Sequence, residues 1–223
     1  MAGMKRPEWL AAGRLRPVAL VTQRNLLPAG TLPARAAVLA AAGVRLVQVR
    51  EKDLAGRPLF HLTVQILAAV ATAAGDRCRV VVNGRPDVAL AAGAHGVHLP
   101  GRSLPVAAVR RLAPPPFIIG VSTHTPEEVE AARAAGADYV FFGPVFPTAT
   151  HPGAEGTGPG GLVSALKAAA GLPLWAIGGI HERTVGDLGQ LPLAGVAAMR
   201  ALLLADDPEA TVRALGATPT SRD

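Results

Sequence analysis

The residues with chemical content fall in a few short blocks. In Gln48-Val49-Arg50-Glu51-Lys52, alternation puts positions 48, 50 and 52 on one face of an extended segment. Two cations and an amide converging there suit an anionic ligand. The competing reading ties Arg50 to a neighbouring carboxylate as an internal ion pair. Asn83 opens Asn83-Gly84-Arg85-Pro86-Asp87, where its amide either bonds a ligand or serves the turn into the glycine. Arg85 and Asp87 read as a solvated charge and a helix-start carboxylate. In Gly120-Val121-Ser122-Thr123-His124, the histidine is placed either to move protons near neutral pH or to sit on a surface loop. Gly178-Gly179 and Ala198-Met199 offer backbone N–H groups to a phosphate, although paired glycines also serve tight packing. His98 stands apart, with nothing in the sequence clustering with it. There is no cysteine pair, no His-x-x-x-His and no acidic cluster at these blocks, so no metal site is expected.

Each block closes an apolar, strand-like run. The runs are Val18–Thr22, Leu46–Arg50, Val80–Asn83, Gly96–Leu99, Phe117–Ser122, Tyr139–Phe142, Leu174–Ile177 and Gly195–Met199. Helical patterns follow them: Ala34–Ala42, Pro58–Ala74, Pro86–Ala92, Pro105–Leu112, Pro126–Ala135, Leu162–Ala170, Glu182–Leu188 and Asp207–Leu215. Strand then helix, repeated eight times, predicts an α/β fold with a single closed (β/α)8 TIM barrel. A doubly wound open sheet is the runner-up. In such a barrel the strand C-termini and the loops after them form the site, which is where the blocks lie. Thr125-Pro126-Glu127-Glu128 predicts an N-cap, Pro at N1 and a capping-box glutamate. Ala-Ala-Gly at 41–43, 91–93 and 134–136 predicts helix ends with glycine at C′. The Gly- and Pro-rich stretch from Gly143 to Gly161 is expected to be a loop at the barrel mouth. The domain reading is an N-terminal extension over 1–16, a barrel over 17–217 and a polar tail over 218–223.

Half of the 223 residues are apolar and 17% are charged, a composition that buries a core and excludes global disorder. A lone cysteine, Cys78, excludes a disulfide-stapled scaffold and fits a reducing, cytoplasmic compartment. The net charge is +6, but the arginines are scattered and aromatics make up only 4%, which argues against nucleic acid. Neither a membrane span nor a signal peptide is read.

Taken together, these blocks resemble the thiamine phosphate synthase/TenI superfamily over about residues 17–205. The matching segments are Gln-Val-Arg-Glu-Lys (48–52), Asn-Gly-Arg-Pro-Asp-Val-Ala-Leu (83–90), Gly-Val-His-Leu-Pro (96–100), Gly-Val-Ser-Thr-His-Thr (120–125), Phe-Gly-Pro-Val-Phe-Pro-Thr (142–148) and Ala-Ile-Gly-Gly-Ile (176–180). The resemblance implies a barrel enzyme with a small phosphorylated thiazole substrate, no nucleic acid and no membrane; a homo-oligomer is left open. It assigns Gln48, Arg50, Lys52, Asn83, Ser122, Thr148 and Thr150 to substrate, and Gly178, Gly179, Ala198 and Met199 to phosphate. In the synthase branch, carboxylates after strands 3 and 4 hold magnesium; here those places carry Gly84 and Ser103. A synthase lysine after Thr150 is His151, and a synthase serine after strand 8 is Arg200. The expectation is therefore the TenI branch: a thiazole tautomerase, an isomerase of thiamine biosynthesis, with His124 as the proton shuttle and no cofactor. The alternatives are a thiamine phosphate synthase, using magnesium, and a non-catalytic phosphate-binding regulator.

Overall fold

The apolar runs form eight parallel strands: β1 (Val18–Val21), β2 (Val44–Val49), β3 (Arg79–Asn83), β4 (Gly96–Leu99), β5 (Ile118–Thr123), β6 (Tyr139–Phe142), β7 (Leu174–Ile177) and β8 (Gly195–Ala198). They hydrogen-bond in sequence order, and β8 pairs back with β1, closing the barrel. The structure is a computed structural model that describes residues 16–148, 153 and 155–217. Most of the 1–16 extension and all of the 218–223 tail lie outside the described residues. Arg16, assigned to the extension, is already tied to the barrel through its N–H to the Gly216 carbonyl at 2.7 Å.

Helices cover the outside: α1 (Leu32–Ala41), α2 (Gly56–Ala74), α3 (Pro86–Ala91), α4 (Val106–Leu112), α5 (Pro126–Ala134), α6 (Gly158–Ala169), α7 (Arg200–Leu203) and α8 (Pro208–Gly216). Gly43, Gly93 and Gly136 end their helices with φ of 115°, 69° and 85°, the left-handed turn that returns the chain to the next strand. α2 with the turn after it is long and apolar enough to cross a membrane. Its Leu59, Ile66 and Val70 are buried, so one face lies against the barrel.

Two expectations are corrected and one element was not foreseen. The run Glu182–Leu188 yields only a 3₁₀ turn at Val185–Leu188, because Thr184 Oγ1 bonds back to the Gly179 and His181 carbonyls and stabilises a turn instead. The four-residue α7 was too short to leave a readable period. The 143–161 stretch is anchored at its base: Val145 and Phe146 N–H donate to the Ile177 and Gly178 carbonyls, at 2.9 and 3.0 Å, and α6 begins at Gly158.

Strand alternation divides the core. Val18, Leu20, Val47, Val80, Val82 and Val140 face the helices. Ala19, Leu46, Val81, Tyr139, Phe141, Trp175 and Ala197 fill the barrel interior. Gly120 makes room for one of these large rings: a Cβ there would lie 2.1 Å from Tyr139 Cζ.

Candidate active site

The strand ends enclose a cavity of about 450 Å³ at the C-terminal mouth, bordered by residues from β2, β3, β5, β7 and β8 and by the 143–148 segment. Gln48, Arg50, Lys52, Asn83, Ser122, His124, Thr148, Gly178, Gly179, Ala198 and Met199 all line it. Thr150 and His151 lie outside the described residues.

Alternation along β2 sorts its end by face. Gln48 points inward, buried, and its Nε2 donates to Asn83 Oδ1 at 3.0 Å. This bond fixes the Asn83 carbonyl inward and leaves its amide N–H groups for the cavity. Glu51 points the other way. It accepts from Thr22 Oγ1 at 2.6 Å and from the Arg24 backbone and guanidinium. Arg24 also forks onto both oxygens of Asp53, at 2.5 and 2.6 Å. Both carboxylates near the mouth are thus held by Arg24. Among the described residues no carboxylate lies within ion-pair distance of Arg50, so the internal ion pair does not form. Burial pushes the Arg50 guanidinium below its usual pKa, partly offset by the charge of Glu51. Lys52 is pushed down as well, chiefly by the positive charge of Arg50 and then by burial. The exposed Arg200, at the start of α7, joins them: Arg50, Lys52 and Arg200 also line an adjoining polar cleft of about 320 Å³, together with Glu51 and Asp53. Three cations thus border the mouth, two of them assigned to substrate from the sequence and the third, Arg200, given no role there.

Further round the cavity wall, Gly178 and Gly179 follow β7 with φ of 96° and 64°. The packing reading of this pair holds. A Cβ on Gly178 would lie 2.5 Å from Pro144 Cα, and one on Gly179 2.6 Å from the Pro147 carbonyl, so the anchored 144–147 segment demands glycine. Among the described residues, the N–H groups of Gly178, Gly179 and Met199 donate to no protein acceptor. Amides left open in this way suit phosphate oxygens.

His124 is exposed at the rim. Its Nδ1 meets the Gly143 carbonyl, which can only accept, so the proton is on Nδ1 and the Nε2 lone pair is left open in the neutral ring. Its backbone is fixed by the cap of α5. Thr125 Oγ1 accepts from Glu128 N–H, and Glu128 reaches back to His124 N–H at 2.6 Å, one residue before the cap.

His98, which the sequence left isolated, is fully buried between two hydroxyls. Nδ1 lies 2.9 Å from Tyr139 Oη and Nε2 lies 2.8 Å from Ser122 Oγ. Burial and the nearby Arg50 charge push its pKa down to about 3, so the ring is neutral. Alternation was the signal that could have found it. Positions 98 and 122 are both inward on their strands, but only the β4–β5 register, His98 opposite Gly120, brings them together.

The carboxylates that a diphosphate-bound magnesium ion would need do not converge here. No residue lining the 450 Å³ cavity is acidic, Glu51 and Asp53 in the adjoining cleft are both taken up by Arg24, Gly84 and Ser103 stand at the expected places, and the described residues contain no group of three or more His, Cys, Asp or Glu side chains suited to a metal. Glu155, on the long loop, is exposed. The residues present do not fit the ion.

Comparison with known proteins gives a match over residues 18–202 to the family described as thiamine monophosphate synthase. A thiamine-phosphate synthase of Methanoculleus marisnigri is 42% identical over 81% of this chain and 84% of its own length. One from Methanospirillum hungatei is 38% identical over 77% of this chain and 82% of its own. A solved thiamine phosphate pyrophosphorylase from Pyrococcus furiosus superposes with a TM-score of 0.78 at 28% identity, covering 91% of this chain and 94% of that one. These relatives overturn the expected isomerase branch. They also leave the non-catalytic reading behind, because the relatives are enzymes. The physical reason lies in the mouth. Absent carboxylates were read as an inability to handle a diphosphate, and that reading did not weigh the third cation, Arg200, that lines the cavity beside Arg50 and Lys52.

Proposed function

The chain belongs to the thiamine monophosphate synthase family, and we propose that it is itself a thiamine phosphate synthase, a transferase joining hydroxymethylpyrimidine diphosphate to thiazole phosphate. In that reaction the thiazole nitrogen lone pair forms the new C–N bond to the pyrimidine methylene carbon. The C–O bond to the diphosphate breaks, and its electron pair leaves with the diphosphate. Two phosphorylated substrates need two anion subsites. The observation that carries the reading is that this mouth offers two kinds of anion-binding group on one cavity: the Arg50, Lys52 and Arg200 cations and the open Gly178, Gly179 and Met199 amides.

The roles follow from charge. Negative charge grows on the leaving diphosphate, and cations aimed at that position favour the transition state over the ground state. Arg50 suits this best, because it is half-buried and not committed to a protein carboxylate. The amide cup holds the thiazole phosphate, with Ala198 forming its wall. Gln48, Asn83 and Ser122 provide polar contacts, and Thr148 borders the pyrimidine. His124 presents its rim nitrogen to the substrates without a proton-shuttle role. We assign the charge neutralisation to these side chains and no cofactor to the chain. A cytoplasmic enzyme acting on small phosphorylated molecules accords with the buried, free Cys78.

The test is to supply both substrates, with and without EDTA, and to measure thiamine phosphate. Product in either arm supports the synthase, and no product in both refutes it. Full activity in EDTA supports charge neutralisation by side chains, whereas strict magnesium dependence overturns that part.

A further inference from the structure

The line Tyr139, His98, Ser122 runs from the sealed barrel interior to the mouth, and its hydrogen-bond direction follows from counting donors and acceptors. Tyr139 is completely buried. Its hydroxyl has a single polar neighbour among the described residues, His98 Nδ1 at 2.9 Å. A neutral imidazole has one N–H and one acceptor nitrogen. If Nδ1 carried the proton, it would donate to Tyr139, and the phenolic proton would be buried with no acceptor. An orphaned buried donor is costly. If Nε2 carries the proton, every group is satisfied. Tyr139 O–H donates to Nδ1, Nε2–H donates to Ser122 Oγ at 2.8 Å, and the Ser122 proton is left to point elsewhere. Ser122 lines the cavity, so that proton faces the substrates.

We infer that Tyr139 and His98 are positioning residues that hold Ser122 as a hydrogen-bond donor aimed into the mouth, toward a phosphoryl oxygen. Gly120 belongs to the same device, because a Cβ there would lie 2.4 Å from Tyr139 Oη and displace the ring. The Phe141 ring, 4.6 Å from that of His98, fixes the imidazole plane from the side. A rigid donor loses no rotational freedom when the anion arrives, which a freely turning serine would. The phosphoryl target rests on the synthase reading; the direction of the relay does not.

Two measurements decide it. Long-range 15N–1H correlation spectra of the native protein report the tautomer of His98. The Nε2–H form is expected, and the Nδ1–H form or an exchanging mixture overturns the relay. The second is a double-mutant cycle read by calorimetric binding of inorganic diphosphate, with thermal unfolding as the control for folding. Ser122→Ala is expected to weaken binding about ten-fold, the loss of one bond to a charged group. Tyr139→Phe is expected to weaken it several-fold in the native background and to have no further effect on top of Ser122→Ala. Additive losses would mean that Tyr139 acts through packing alone and would overturn the positioning role. If the native protein binds no diphosphate at all, the synthase reading fails, and the tautomer spectrum still decides the relay.

Discussion

Replacing Arg50 with methionine separates what the mouth requires from what the fold requires. The Arg50 guanidinium is half-buried without a carboxylate partner, and burial outweighs the pull of Glu51 on its charge. Methionine preserves most of the packing of the stem and removes the charge. Losing an unpaired, partly desolvated cation is expected to stabilise the fold by about 1 kcal/mol, which raises Tm by about 2–4 °C for a chain of this size. The same change removes a charge-assisted bond to a phosphoryl group. That loss is about 1.5–3 kcal/mol, a rise of about 10- to 100-fold in the Kd for inorganic diphosphate. Arg24→Met is the control with the opposite sign. Glu51 has a side-chain exposure of only 2% and would lose the guanidinium at 3.2 Å. Thr22 Oγ1 and Arg24 N–H would still donate to it, so the expected cost is about 2–3 kcal/mol rather than that of a fully stranded charge. Thermal unfolding and calorimetric titration on the two variants give the answer. If Arg50→Met loses stability as Arg24→Met does, or binds diphosphate as tightly as the native protein, the assignment of Arg50 as an uncommitted cation is wrong.

Gly120→Ala is expected to destabilise the barrel by about 1–3 kcal/mol, because its Cβ would overlap the Tyr139 ring at 2.1 Å in a filled interior; a urea midpoint equal to that of the native protein would show that the ring relaxes freely. His98 should make the fold acid-sensitive. Its pKa is about 3 in the native state against an ordinary 6.5, so between those values the unfolded chain takes up a proton that the native chain refuses, and stability falls as pH falls. The stability advantage of the native protein over His98→Asn should therefore shrink between pH 6.5 and pH 4, and parallel profiles would contradict a ring buried in its neutral form.

The fold was largely legible. Strand-length apolar runs followed by alanine-rich helical patterns located all eight strands, within two residues at each end. Proline at N1 and glycine at C′ are local signals and marked helix ends where the structure has them, as at α5 and Gly136. Legibility failed where a short-range competitor decided the outcome, as when Thr184 turned the 182–188 run into a tight turn. It also failed at Gly158, where α6 starts against a segment anchored to β7.

Sequence alone placed the polar residues at strand ends, and alternation set the side to which Gln48, Arg50 and Lys52 point, because the period of a strand is fixed by its backbone. It did not show who pairs with whom. That Arg24 takes up both Glu51 and Asp53 and leaves Arg50 uncommitted depends on β1 lying beside β2. The closeness of Arg200 to Arg50 and Lys52 depends on closure of the barrel, which brings β8 round to β1 and near β2. His98 looked isolated in the chain because its partners lie 24 and 41 residues further on, and only the register of three parallel strands lines them up. Hydrogen-bond direction and charge pairing are properties of distances between strands, and the chain fixes those distances only when it has closed the barrel.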